Sequence, residues 1–414
     1  MTSQFENFFH VISREAAEKT IQIHLAPLGK ETVSLSNALD RISAESLTAP
    51  ESLPPFARST VDGFAVKSQD TFGASEGFPV TLEVAGVISI GTLPEASLKR
   101  GKAMAIPTGG ALPEGADAVV MVEHTESPDP AFVEIYRPVS PFENVVRAGE
   151  DIEKGRPVLE RGRKIRPQEL GLLAALGITR VSVTRKPVVG IISSGNEVVS
   201  PERVPGPGQI RDINRFTLQG LIARSGGEAR FIGLTPDDEA TLKDACERGL
   251  ASCDLLLLSG GSSVGTRDLT LKVLEEFGGF ELLAHGIAVS PGKPTIIARI
   301  GGKMIFGLPG HPVSTWVIAL LFVTRAIQTL LGGRENYALA WDTAVVDGNI
   351  PSAQGREDFI RAKVTGVGRA ATAFPIFSKS GVISSLAAAN ALIRIPLNSE
   401  GVYKGEEVAI LRLP

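Results

Sequence analysis

Glu197, Asp237, Asp238 and Asp268 each stand a few residues beyond an apolar run, in loops rich in Gly, Ser and Pro. Carboxylates placed this way can hold a divalent cation or move protons. The last of the four follows Ser259-Gly-Gly-Ser-Ser-Val-Gly265. There Ser259, Gly260, Gly261, Ser262, Ser263 and Gly265 could surround an anion with hydroxyls and backbone N–H groups. An ordinary βα turn accounts for the glycines alone, and helix N-capping accounts for each acid alone. Asp268 changes the balance. A carboxylate beside an anion cradle is repulsive unless a cation lies between them, so the pair points to phosphate plus Mg²⁺.

The elements that must position these groups are legible around them. Leu255 to Leu258 show no alternation, as expected of a parallel strand covered on both faces. Leu269, Val273, Leu274 and Phe277 follow at helical spacing, so a helix opens its positive end on the same turn. Val188–Ile192, Ala229–Leu234 and Lys303–Leu308 read as further strands, and Arg211–Arg224, Asp238–Leu250 and Pro312–Leu331 as helices. This alternation predicts a doubly wound, mostly parallel α/β sheet domain over residues 187–333, with ligands beyond the carboxyl ends of its strands. All four loops fall there. The Ser290-Pro-Gly-Lys293-Pro294 turn adds a lysine for an anionic substrate, or simply a solvated one. His311, in Pro-Gly-His-Pro, reads as a general base or as a packed loop residue.

The remainder of the chain is less regular. A helix is expected from about Phe8 to Leu25, with Phe9, Ile12, Ala16 and Ile23 on its apolar stripe, and a short second one from Ser36 to Ala44. Pro54 to Val66 is a rigid extended approach to an Asp-Gly turn where Arg58, Ser59 and Asp62 crowd together, either for a ligand or as an Asx-turn. Short strands at Val80, Lys102, Ala118 and Phe132 make a β module, within which Thr108-Gly-Gly again offers a hydroxyl and amides. Gln168–Leu176 reads as a helix ended by Gly177. The expected organisation is a discontinuous mixed α/β domain (1–49 and 142–186), an inserted β domain (50–141), the sheet domain, and a C-terminal β-barrel-like domain (334–414). In the last, Arg356, Arg361 and Ser380 could hold an oxyanion.

Composition narrows the partners. The 414 residues are 43% hydrophobic and 21% charged, which is a folded chain. A net charge of -4 argues against broad nucleic-acid binding. Cys246 and Cys253 make neither a disulfide framework nor a zinc site, His10 and His24 lack neighbours that would complete a ligand set, and His124 reads as solvent-facing rather than catalytic. With no signal-peptide pattern at the start, and Trp316–Val323 too short to span a bilayer, a cytoplasmic protein with no membrane partner is expected.

Taken together, the motifs resemble those of the molybdopterin molybdenumtransferases, of the MoeA and gephyrin E-domain type, over essentially the whole chain. They are Ser59-Thr-Val-Asp-Gly-Phe-Ala65, Thr108-Gly-Gly, Arg147-Ala-Gly-Glu-Asp-Ile152, Ser194-Gly-Asn-Glu197, Gly208-Gln-Ile-Arg-Asp-Ile-Asn214, Ser259 to Gly265, Pro291-Gly-Lys-Pro294 and Leu308-Pro-Gly-His-Pro-Val-Ser314. The resemblance implies a homodimer whose site lies between the sheet domain of one subunit and the β module of the other. It also implies the reaction. Adenylylated molybdopterin, supplied by a separate adenylyltransferase, is cleaved in a Mg²⁺- and molybdate-dependent step that loads molybdenum and releases AMP. On this resemblance Glu197, Asp237 or Asp238, and Asp268 carry Mg²⁺, while Asp62 and Thr108 reach across from the partner. Lys293, Arg361 and Ser380 surround the oxyanion, and Pro309 and Pro312 shape the pocket. Ser290 stands where the family often has lysine, and His311 where Asn is frequent. A non-catalytic molybdopterin-binding scaffold, or a paralogue that inserts tungstate, is the alternative.

Overall fold

The computed structural model describes residues 11–260, 264–333 and 340–413, the side chains of 264–268 and 369 excepted. At its centre is a six-stranded sheet in the order Glu228–Thr235, Val188–Ser194, Leu255–Ser259, Lys303–Leu308, Ile296–Ile300, Glu281–His285. The first three pairings are parallel and the last two antiparallel, so Ile296–Ile300 runs against the other five strands. The leucine run is the hub. Leu255 and Leu257 enter one core with Phe306, Leu218 and Phe322, whereas Leu256 and Leu258 enter a second with Leu242, Cys246 and Val273. Each leucine so buried contributes about 2 kcal/mol, which explains why the pattern does not alternate.

Helices Asn214–Arg224, Glu239–Ser252 and Val264–Glu275 cross between the parallel strands. The closing segment is one helical run from Pro312 to Leu331, with a π-helical turn at Ala319–Val323. It is twenty residues long and mostly buried inside the protein. The eight-residue apolar stretch Trp316–Val323 is therefore the middle of a core helix.

Helix Arg14–His24, capped by Ser13 Oγ at 3.1 Å from the Ala16 amide, packs on that core through Ala17 and Ile21. The expected stripe was displaced: Ala16 and Ile23 face outward, because the helix turns toward Thr324–Leu331 rather than toward its own sequence neighbours. Phe9 lies outside the described residues. The helix expected over Ser36–Ala44 is a single 3₁₀ turn, Leu35–Asn37, after which Ile42 and Ser43 bridge to Lys164 and Val183. Helix Asn214–Arg224 also starts later than expected, since Ile210–Arg211 pairs with Val198–Val199.

Residues 30–48 and 157–184 form a small mixed unit. Lys30–Ser34 pairs with Arg180–Thr184, and Leu47–Thr48 with Pro157–Leu159, over a core of Leu159, Ile165, Leu173 and Val183. Between these stretches lies the β module, ordered Ala118–Met121, Gly63–Val66, Lys102–Ile106, Val80–Val87, Phe132–Ile135, Thr125–Asp129. The C-terminal strands Glu357–Thr365, Thr372–Pro375, Trp341–Val346, Glu407–Arg412 and Ala391–Ile395 pair in that order, and the last pairs with the first, closing a five-stranded barrel. Val289–Ser290, from the sheet domain, adds to the barrel beside Glu357 and Asp358.

Candidate functional site

The carboxyl ends of the parallel strands surround a cavity of 350 Å³ lined by Ser193, Glu197, Asn214, Ser259, Gly260, Gly310, His311 and Pro312, with Gly381 of the barrel domain at its rim. Backbone shape comes first. Gly260 has φ +149°, and a Cβ there would lie 2.1 Å from the Ser194 carbonyl oxygen, so only glycine lets the two loops touch. Glu197 is fixed by its own carbonyl, which accepts the Ile210 amide at 2.7 Å.

Asn214 ties the floor together. Its Nδ2 donates to Ser259 Oγ at 2.8 Å and to the Gly310 carbonyl at 2.9 Å. The Asp-Ile-Asn stretch reads in sequence as an ordinary helix start; the clue to this amide is its place at the end of Gly208-Gln-Ile-Arg-Asp-Ile-Asn214.

The acids separate into different environments. Asp238 caps helix Glu239–Ser252, accepting from Thr241 Oγ1 at 2.5 Å and Thr241 N at 2.8 Å, and these bonds hold its carboxyl below the usual range. Asp237 has its backbone N–H on Asn196 Oδ1 at 3.2 Å, and its carboxylate has no partner among the described residues. Gly261, Ser262 and Ser263 lie outside the described residues, as does the side chain of Asp268; Gly265 falls in the first turn of helix Val264–Glu275. Among the described residues no three His, Cys, Asp or Glu side chains converge as a metal cage.

The barrel domain reaches this cavity through Ser380, whose Oγ lies 3.0 Å from His311 Nδ1, while the Ser380 carbonyl accepts the Val313 amide at 3.1 Å. Arg361 stands behind that contact. It is 7% exposed, and it donates to Ser385 Oγ at 2.8 Å and to the carbonyls of Ser378 and Lys379, so it fixes the segment that carries Ser380. Its Nε is buried without a partner among the described residues, and burial holds its pKa below the ordinary arginine value. Arg356 is paired with Asp358 at 3.2 Å. Lys293 is exposed in the loop beyond Ser290. Pro312 opens the closing helix, and the Pro309 carbonyl accepts from Thr315 Oγ1.

Asp62 and Thr108 come together on the β module, at 2.7 Å between Oδ1 and the Thr108 amide. Ser59, expected to touch substrate, is 2% exposed and its hydroxyl closes on its own loop through the Val61 carbonyl (2.6 Å) and amide (3.2 Å). Among the described residues no hydrogen bond or ion pair joins this group to the cavity in the same chain.

Three regions of the chain match known family profiles in the order of these units: "MoeA N-terminal region (domain I and II)" at residues 12–177, "Probable molybdopterin binding domain" at 190–329 and "MoeA C-terminal region (domain IV)" at 343–413. The molybdopterin molybdenumtransferase of Bacillus subtilis is 35% identical over 92% of this chain and 89% of its own length. That of Haemophilus influenzae is 33% identical over 96% and 97%. The crystal structure of the molybdopterin biosynthesis MoeA protein from Pyrococcus horikoshii superposes with a TM-score of 0.85 at 40% identity, covering 97% of this chain and 99% of that one. Fold, order of units and sequence agree along the whole length, and the chain belongs to the molybdopterin molybdenumtransferase family, a family of transferases.

Proposed function

We propose that this protein transfers molybdenum from molybdate to adenylylated molybdopterin with release of AMP, in a Mg²⁺-dependent step of molybdenum cofactor biosynthesis. The observation that carries this reading is the joint cavity. A cradle at the carboxyl ends of a parallel sheet, lined by Glu197, Ser259 and Gly260, meets a hydroxyl from a second domain at the His311–Ser380 contact. A site built for transfer between two substrates needs both halves held at fixed separation.

The donor set fits Mg²⁺. This ion takes one or two carboxylates plus substrate phosphates rather than an all-protein cage. Glu197 on the cavity wall and Asp237 in the neighbouring loop are described carboxylates placed for it, with Asp268 the further candidate; Asp238 is committed to its helix, and Asp212, also on the wall, accepts the Arg215 amide at 3.1 Å. When bound, the cation would neutralise charge on the phosphates and on the leaving AMP. The residues of the chain do the rest. Ser259 and Gly260 approach the substrate through hydroxyl and backbone, and Ser380 with Lys293 faces the oxyanion. His311, hydrogen bonded at Nδ1 to Ser380 Oγ, sets that hydroxyl's direction and is placed to exchange a proton with it.

The missing contact between Asp62–Thr108 and the cavity supports a homodimer in which the partner's β module completes the site, and the substrate would come from a separate adenylyltransferase. The test is AMP release from adenylylated molybdopterin with Mg²⁺, with and without molybdate, in the unaltered chain, Glu197→Gln and Asp268→Asn. Molybdate-stimulated release that falls at least about 100-fold in either variant is expected. Tight pterin binding with no AMP release in any sample would sink the transferase reading in favour of a binding protein.

A further inference from the structure

The floor of the cavity carries two polar atoms that no described residue answers. Asn214 is 8% exposed and Ser193 is 2% exposed; Asn214 Oδ1 and Ser193 Oγ are both buried, both lack a hydrogen-bond partner among the described residues, and both residues line the cavity. The amide orientation of Asn214 is fixed by chemistry. The Gly310 carbonyl, 2.9 Å away, can only accept, so Nδ2 must face it and Oδ1 must face the other way. An unpaired buried oxygen is costly, and sites that keep one are completed by a ligand group of the opposite kind.

We infer that Asn214 Oδ1 and Ser193 Oγ form a receptor for N–H donors, and that the amino-bearing pyrimidine edge of the pterin rests there rather than the phosphates. This deepens the function proposed above and rests on it for the identity of the substrate. Phosphate oxygens only accept, and a carboxamide oxygen repels them. A pterin edge presents an amino group beside a ring N–H, two adjacent donors for one oxygen with two lone pairs and a hydroxyl that can take either role. Adenine presents its amino group between two ring acceptors, a poorer match. The phosphates then lie further out, toward Glu197 and the rim of the cavity. The specificity follows. An analogue that replaces the donor by an acceptor leaves Asn214 Oδ1 unpaired and adds a repulsion, the situation in which a polar site discriminates most strongly.

The experiment is equilibrium binding to the full chain, followed by ligand fluorescence, of 2-amino-4-oxopteridine-6-carboxylate and of 2,4-dioxopteridine-6-carboxylate, which has an oxygen in place of the amino group. The amino compound should bind at least about tenfold tighter. In Ser193→Ala, which removes a hydroxyl with no partner among the described residues, the ratio should shrink with an unchanged melting temperature; in Asn214→Asp the preference for the amino compound should change while the dioxo compound is rejected more strongly. Equal binding of the two, or binding of neither, overturns the assignment, as does displacement of the amino compound by AMP. AMP release measured on the same preparation keeps the two proposals apart. Release without pteridine discrimination removes the floor assignment alone, and discrimination without release removes the transferase reading alone.

Discussion

Asp62 Oδ1 accepts the backbone N–H of Thr108 at 2.7 Å, and hydrogen bonding from Thr108 holds the Asp62 carboxyl below its ordinary range. Both residues are exposed on the β module, and Gly63 beside them pairs so closely with Ala118–Met121 that a Cβ would lie 1.8 Å from the Val120 carbonyl oxygen. A charged side chain is thus fixed on a rigid, exposed turn, and among the described residues nothing but Thr108 engages it.

If that group completes the site of a partner subunit, two defective chains can repair each other. Asp62→Ala and Glu197→Gln should each lose most AMP release. Co-expressed at equal levels, they should regain about a quarter of the unaltered activity, because half of randomly formed C₂ dimers carry one intact site of two. Recovery indistinguishable from the single variants would place both residues in one chain's site.

Glu169 carries a pH dependence unrelated to catalysis. It is 6% exposed and accepts from Arg166 N and Nε at 3.0 Å and from Arg163 Nη2 at 3.0 Å, and the Arg166 guanidinium draws its pKa down to about 2. A carboxyl depressed in the folded state contributes stability above its unfolded value, and loses it as pH falls through the folded one. Glu169→Gln should therefore cost about 2 kcal/mol at pH 7 by urea unfolding, and the gap should close between about pH 5 and pH 2. A gap that stays constant over that range contradicts the assignment.

Gly260→Ala should destabilise the sheet domain by about 2–4 kcal/mol, since the methyl group meets a backbone oxygen that cannot turn aside. Calorimetry measures it. A melting temperature within a degree of the unaltered protein would mean that the two loops part freely.

Glu357 joins the N-terminal helix to the barrel. It is 3% exposed, accepts from Arg14 Nε at 2.6 Å and pairs with Arg394. Glu357→Ala removes the buried anion between two partly buried guanidinium groups, which keep only Glu15 and Glu18 nearer the surface, and about 2 kcal/mol of stability should be lost. Arg14→Ala, which leaves Glu357 still paired to Arg394, should cost less; the reverse order would show the clamp to be misread.

The sheet domain was readable because its strands are buried on both faces: four leucines without alternation admit few other structures, and ligand loops follow from strand direction. The strands Glu281–His285 and Ile296–Ile300 escaped for different reasons: the second joins Lys303–Leu308 through a tight turn with no crossover helix to announce it, and the first, at the sheet edge after helix Val264–Glu275, is buried at one end only and leaves no alternation to read. Helix Arg14–His24 was found but its stripe misplaced, for Ala16 and Ala17 are equally apolar and only the core decides which is covered. At the site, Glu197, Ser259 and Gly260 could be proposed from residue type and position. Asn214 could not, because what distinguishes it is an oxygen left over after its nitrogen has found Gly310 and Ser259, and pairings of that range are set by tertiary structure.

The closure of the barrel by Glu357–Thr365 against Ala391–Ile395 bears on how the protein meets other copies of itself. A sheet with a bare margin offers a row of amides and carbonyls on which a stranger can be templated. In this domain the five strands satisfy one another around the ring, and Val289–Ser290 lies along Glu357 and Asp358 where the first of them extends past its neighbour. Association around the ring is thereby directed to side chains, whose shape and charge can be tuned residue by residue, and indiscriminate strand-to-strand annealing is disfavoured there.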